Sequence, residues 1–369
     1  MKKYDVIILG AGAAGLSVAA ALAENGQKVL VVSKKLFGEA SPASAGILDP
    51  FLEMKPRHPF FLFCRTAFRN YPSFIRKIEK ATGKSVGYEK TGMLYVAMTP
   101  REEKELRKRY HWQKDCGIPL RLLSAKAILK IHPGIHPQLR AGLFYPNIGR
   151  VQPRKLVAAL TAYVKQYRGR LIKAAAGVSL AVESGKVSGI RIGKKKWEAP
   201  AVVNAAGAWA GIMTDKSLKI PVLPARGQIF LAKGKLKIST IVHSLTGGYV
   251  VPWEKAAGGK KIYLVGSNVE FRGFNASVTP EVMKDIRDRN ERILPGLRSC
   301  RKIQSWAGLR PYSKRRLPYI GPSKIKGLYW AAGYYRSGIL MSPYAGKLLA
   351  KGIVSGRMPE VLKPFYPKN

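Results

Sequence analysis

Two periods of apolar residues run through the chain, and they predict strands and helices in alternation. Val6-Ile7-Ile8-Leu9 is an unbroken apolar run, the mark of a strand buried on both faces. Leu16 to Ala23 follows as a helix whose packing side is made of small residues, and Lys28-Val29-Leu30-Val31-Val32 is a second parallel strand. Apolar spacing between Pro and Gly breaks predicts helices over 72–82, 101–116 and 124–131, and a strand over 91–98. A helix over 153–168 opens on Pro153 and carries Leu156, Leu160, Tyr163 and Val164 at core spacing. Strands are expected at 170–182 and 187–192, joined by the turn 183–186. A buried strand at 201–206 runs into the small-residue turn Gly207-Ala208-Trp209-Ala210-Gly211. From 219 to 272 short alternating strands with Gly and Pro turns predict an antiparallel sheet in a second domain. Thr279 is placed to cap a helix over 280–294. Leu328 to Ala332 is the last sheet strand, and a final helix is expected at about 343–355.

Between the first strand and the first helix lies Gly10-x-Gly12-x-x-Gly15. A strand, glycine turn and helix in that order form a dinucleotide-binding unit. Gly10 permits the tight turn, Gly12 lets backbone N–H groups approach a pyrophosphate, and Gly15 allows close helix–strand packing. The helix start adds unpaired N–H donors and a positive dipole end. After the second strand, where an acidic residue normally binds the ribose hydroxyls, stand Ser33, Lys34 and Lys35. A serine there offers one hydrogen bond rather than a carboxylate's two. Residues 38–50 form a loop of small side chains, suited to a flat ring passing close to backbone.

With 369 residues the chain is expected to hold two domains. Cys64, Cys116 and Cys300 are too few and too scattered for a disulfide framework or a zinc site. His132 and His136 have the spacing of a helical metal pair, but Pro133, Gly134 and Pro137 break any helix there; His58, His111 and His243 stand alone and receive no role. No apolar run is long enough to span a membrane. The basic, Ala-rich N-terminus mimics a secretory signal, yet cleavage would delete the glycine turn, so a cytoplasmic protein is expected. The net charge is +44, from 65 basic and 21 acidic residues. It is spread along the chain rather than gathered in a stripe, which argues against a specific nucleic-acid partner and for a surface-wide composition. Peripheral contact with an anionic membrane is the sharper alternative.

Four blocks share one further pattern: Gly10 to Gly26, Ala40-Ser41-Pro42-Ala43-Ser44-Ala45-Gly46-Ile47-Leu48, Trp306 to Pro322, and Ala332 to Pro343. In content and order they resemble the D-amino acid oxidase family of FAD-dependent oxidoreductases, in its glycine oxidase branch linked to thiamine synthesis. The resemblance implies an α/β fold: a Rossmann-like FAD-binding domain of the glutathione-reductase type (1–83, 150–214 and 302–369) with a second, antiparallel-sheet substrate domain (84–149 and 215–301). FAD would contact Gly10, Ala11, Gly12, Ala13, Ala14, Gly15 and Ser33 at one end. Ser41, Ala45, Gly46, Ile47, Val178 and Trp209 would contact it further along, and Tyr335, Ser337, Gly338 and Ile339 would complete the site. Arg310 and Arg336 would lie at the substrate carboxylate, and Tyr249 would supply a phenol hydroxyl. Tyr334 and Ser337 stand where the family usually has His and Asn, and Lys314-Arg315-Arg316 replaces an acidic, glycine-containing turn.

An arginine fork grips a carboxylate at two points and holds the α-carbon in place. Hydride loss from that carbon needs alignment and a neutral amine more than a strong base. The activity the resemblance implies is oxidation of glycine or another small amino acid or secondary amine to the imine, which water converts to oxo acid and ammonia. Oxygen is the expected acceptor, peroxide the product, thiazole synthesis the expected use, and a homo-oligomer the expected state. The rivals are a membrane-docked D-amino acid dehydrogenase that reduces quinone, and a non-catalytic FAD- or polyanion-binding protein.

Overall fold

A computed structural model describes residues 3–34, 36–51, 58–175, 177–212 and 220–367. Lys35 and residue 219, both named in the sequence analysis, lie outside the described residues. The apolar run Val6–Leu9 is buried along its length and forms the middle of a six-stranded sheet. It pairs in parallel with Ala201–Asn204 on one side and Val29–Ser33 on the other. Arg170–Lys173 and Leu328–Ala332 extend the sheet in parallel, and Tyr319–Pro322 closes one edge antiparallel. Helix Ala13–Glu24 packs on helix Gly338–Ser355 so closely that a Cβ on Gly346 would press on the backbone of Ser17 and Val18. Small residues at this crossing bring the last helix down beside the glycine turn.

Two helices are longer than the sequence predicts. The last begins at Gly338, not 343, with Pro343 inside it; Ser342 Oγ donates to Gly338 O at 2.5 Å within that same turn. The helix expected at 72–82 runs from Pro59 to Thr82 through Pro72. Its buried face, Phe61, Cys64, Ala67, Tyr71, Ile75 and Ile78, continues at helical spacing across the proline, so packing outweighs the lost backbone bond. Conversely, helix Pro280–Glu291 stops short of 294. Thr279 stands at its N-cap, but its side chain does not cap. Its Oγ1 accepts from Gln228 Nε2 at 3.3 Å while its N–H donates to Gln228 Oε1 at 2.9 Å.

The second sheet has eight strands, in the order Arg301–Ser313, Val222–Gly234, Lys261–Gly266, Tyr249–Lys255, Ile241–Ser244, Met93–Ala97, Ala141–Tyr145 and Arg121–Ser124. It is antiparallel, as expected, except that Ile241–Ser244 lies parallel to Met93–Ala97 and sets His243 beside Tyr95. Strand Arg301–Ser313 is bonded to Val222–Gly234 along this sheet, although the sequence assigns 302 onward to the other domain. Three further strands, Val178–Glu183, Lys186–Ile192 and Lys195–Glu198, form a small meander.

Candidate active site

The glycine turn is built as its residue types require. Gly10 has φ +111°, and a Cβ there would overlap Ala205 O across the sheet. A Cβ on Gly15 would overlap Gly10 O and come within 3.2 Å of Ile8 Cγ2. Gly12 is the N-cap of the first helix, and its missing side chain leaves room for Ser41, whose Oγ accepts from Ala13 N–H at 3.0 Å. The 38–50 loop is thereby pinned to the helix start. Part of it is the short helix Ala40–Ala43, which a loop reading does not anticipate.

From this turn opens a cleft of about 1640 Å³. Every residue the sequence singled out lines it except Gly15, which lies beneath at the helix–strand contact. At one end are Ser33, Lys34, Lys173 and Val178, where the strands Val29–Ser33 and Arg170–Lys173 finish side by side. Gly10 to Ala14, Ser41 and Ala45 to Ile47 form the middle of the wall, with Ser337, Gly338 and Ile339 also on the lining. Trp209, on the 3-10 turn Gly207–Ile212, stacks on Phe274 with ring centroids 5.6 Å apart. Tyr335 takes φ +49°, uncommon for a bulky residue, and its N–H donates to Pro311 O at 2.9 Å.

The 45–48 loop is held from behind by Arg150, a residue without a signal in the sequence. Val151 N–H donates to Gly46 O at 3.0 Å, and Leu48 N–H to Gly149 O at 2.9 Å. Arg150, between Gly149 and Val151 in the chain, is 1% exposed. It bonds Glu89 at 2.9 Å and Trp253 O at 2.5 Å, and lies 4.8 Å from the Trp253 ring. Burial pulls its proton affinity down and Glu89 opposes that.

At the inner end, Arg310 and Tyr249 stand on glycines. The Arg310 guanidinium lies where a Cβ of Gly227 would be, and donates to Asn268 O at 3.0 Å and Ser267 Oγ at 3.1 Å. The Tyr249 hydroxyl end lies over Gly266, at 2.5 Å from where its Cβ would be. Gly266 and Ser267 are consecutive, so the guanidinium and the phenol share one corner of the sheet.

Facing that corner are groups the sequence left without a role. The half-buried His243 ring sits between Tyr95 at 4.8 Å and Tyr249 at 5.7 Å. Its Nδ1 meets Ser244 O at 2.6 Å, which makes Nδ1 the protonated nitrogen. Burial, and then the positive charges of Arg336 and Arg109, push its pKa down to about 4. Arg336 therefore belongs to the same electrostatic neighbourhood as Tyr249. Tyr95 donates its hydroxyl to Asp49 Oδ2 at 2.6 Å, and burial followed by the Asp49 charge raises its pKa. Asp49 lies within the loop the sequence did mark; His243 and Arg109 have no local pattern to reveal them. Among the described residues, eight lysines and arginines line the cleft against two carboxylates, Glu39 and Asp49.

An extended cleft, larger than the roughly 300–1,000 Å³ of most small-molecule sites, runs from the glycine turn to the corner that holds Arg310 and Tyr249. The cradle at Gly10 and Gly12 and the small-residue wall fit FAD. Fold and site together define a dinucleotide-dependent oxidoreductase of mixed α/β fold. The profile of the FAD dependent oxidoreductase (DAO) family matches residues 5–351, and the chain belongs to that family. It is a flavoprotein that uses FAD. It is 29% identical over 370 residues to a glycine oxidase of Geobacillus kaustophilus, covering 98% of this chain and 96% of the relative. The crystal structure of a glycine oxidase from Bacillus cereus superposes with a TM-score of 0.89 at 28% identity, covering 100% of this chain and 99% of that one. An iminodiacetate oxidase from Chelativorans superposes with a TM-score of 0.86 at 26% identity, covering 98% of each chain. Among the described residues no helix is long and apolar enough to cross a membrane.

Proposed function

We propose that the protein oxidises glycine or another small amino acid or secondary amine to the imine, which water then converts to oxo acid and ammonia. The observation that carries this reading is the corner at Gly227 and Gly266, where Arg310 and Tyr249 present a fixed guanidinium and a phenol to the cleft. In this reading Arg310 binds the substrate carboxylate at two points, with its own orientation set by Asn268 O and Ser267 Oγ. Arg336 adds a second positive charge, and Tyr249 offers a hydroxyl to the carboxylate or amine. His243, kept neutral by its surroundings, does not add a further cation to Arg109, Arg310 and Arg336. The backbone at Gly10, Gly12 and Ala14 would hold the FAD diphosphate, Ser33 the ribose, and the wall at Ala45 to Ile47 and Trp209 the ring system. The chemistry FAD supplies there is two-electron acceptance, with oxygen as final acceptor and hydrogen peroxide as product. The glycine and iminodiacetate oxidases named above favour small, carboxylate-bearing amines as substrates. The imine from glycine is also the compound that would feed thiazole synthesis.

The test is anaerobic flavin reduction with glycine, sarcosine, D-alanine and iminodiacetate. Bleaching by at least one, with peroxide formed in air without an added acceptor, is the expected result. A flavin that none of them reduces would overturn the reading.

A further inference from the structure

Four large apolar side chains lie exposed beside the mouth of the cleft. Phe37 is 77% exposed, Ile212 and Phe271 56%, and Phe274 41%. They come from three separate stretches of chain, yet the fold gathers them. Gly38, next to Phe37, packs on Ala276, and its carbonyl accepts from Leu309 N–H at 2.8 Å. Trp209 packs on the same Ala276–Leu309 cluster, Phe274 stacks on Trp209, and Ile212 ends the turn that carries Trp209. Phe271 meets the Tyr312 ring at 5.1 Å. Ile212 and Phe271 line the cleft itself.

Cations surround this apolar rim. Arg272, between Phe271 and Phe274, has its side chain 68% exposed. Lys34 and Arg316 lie on the adjoining cleft wall. Of the acids nearby, Glu270 is engaged by Arg226, Gln228 and Asn268 and lies 3.9 Å from Arg272, and Glu39 accepts from Leu36 N–H at 3.4 Å. Clustered exposed aromatics bordered by positive charge suit an anionic lipid surface, where apolar rings enter the acyl boundary and cations meet headgroups. A second copy of the chain fits less well, because it carries the same charge of +44.

We propose that this rim is a membrane-docking face: Phe37, Ile212, Phe271 and Phe274 enter the surface of an anionic bilayer while Lys34, Arg272 and Arg316 meet its headgroups, so that the cleft opens against the lipid. This stands apart from the reaction proposed above.

The test is co-sedimentation of the FAD-loaded protein with vesicles at about 0.15 M salt. Vesicles of phosphatidylcholine alone are compared with vesicles carrying about one third phosphatidylglycerol. Binding to the anionic vesicles is expected. It should fall roughly tenfold or more in the double variant Phe37→Ser, Phe271→Ser, and stay unchanged in Val354→Ser, an exposed apolar position on the last helix. Flavin content and melting temperature report that the variants are folded. No binding to anionic vesicles overturns the proposal, and so does binding that the double variant leaves intact, which would be charge alone. Self-association that disappears in the double variant while vesicle binding does not would assign the rim to a second copy. None of these readouts depends on flavin reduction by an amine.

Discussion

Gly227 carries no side chain, and the Arg310 guanidinium fills the space one would take. A Gly227→Ala substitution would place a methyl group over Nη1, Nη2 and Cζ of Arg310. To restore an ordinary contact the guanidinium must retreat by roughly 1 Å. It would then lose its bonds to Asn268 O and Ser267 Oγ, now 3.0 and 3.1 Å. Stability should change little, within about 1 kcal/mol. Gly227 lies in a strand without a positive φ, alanine reduces the freedom of the unfolded chain, and the displaced group is the end of a long side chain. Substrate binding should suffer far more. Charge-assisted bonds to a carboxylate are worth about 1.5–3 kcal/mol, and a displacement of about 1 Å in a positioning group alone costs up to about a hundredfold. A fall in kcat/KM of roughly 10- to 150-fold is expected, with FAD still bound. Steady-state kinetics with the best amine, flavin absorbance and a melting curve measure the three quantities. The double variant Gly227→Ala, Arg310→Ala should be no worse than Arg310→Ala alone, since the first change acts through the second residue. Wild-type kcat/KM in a folded Gly227→Ala protein would refute the placement of Arg310 at the substrate.

Two further outcomes follow. Gly15→Ala sets a methyl against Gly10 O, a backbone atom that cannot swing aside, so it should cost about 1–3 kcal/mol and release FAD; calorimetry and flavin retention on gel filtration check both. His243 should make the protein acid-sensitive in a defined window. Its folded pKa of about 4 lies below the ordinary 6.5, so the unfolded chain binds the proton first as pH falls. Its contribution is complete above about pH 6.5 and is lost progressively down to about pH 4. The full shift corresponds to about 3 kcal/mol, and water in the cleft beside a half-buried ring reduces that to about 1–2. Denaturant melts of wild type and His243→Phe between pH 4 and 7 should show this difference in slope; parallel profiles would remove His243 as its source.

The cofactor end of the cleft could be found in the sequence because its requirements are local. Gly10, Gly12 and Gly15 sit within one strand–turn–helix unit, and each answers to a steric demand a few residues away. The corner at Gly227 and Gly266 was legible only in part. Arg310 and Tyr249 sit in motifs, but Gly227 and Ser267, which position Arg310, do not. His243 meets Tyr95 only because one strand pair in the large sheet runs parallel, and a parallel neighbour leaves no short-range mark. Arg150 looks like any surface arginine until the fold buries it against Trp253. The helix limits failed for a related reason. Pro72 and Pro343 read locally as helix starts, and long-range packing of Tyr71 and Ile75, or of Gly346 on Ser17, carries each helix back through its proline.

The corner beneath Arg310 and Tyr249 consists of main chain at Gly227 and Gly266. Drift in side-chain identity therefore has nothing to alter on that floor except by adding bulk that evicts the anchor. On the proposed reading, a change in which amine is accepted comes instead from the lining at Met93, Arg109 and His243, where side chains can be exchanged without touching that floor. On that reading the site separates a part that defines the reaction from a part free to choose the reactant.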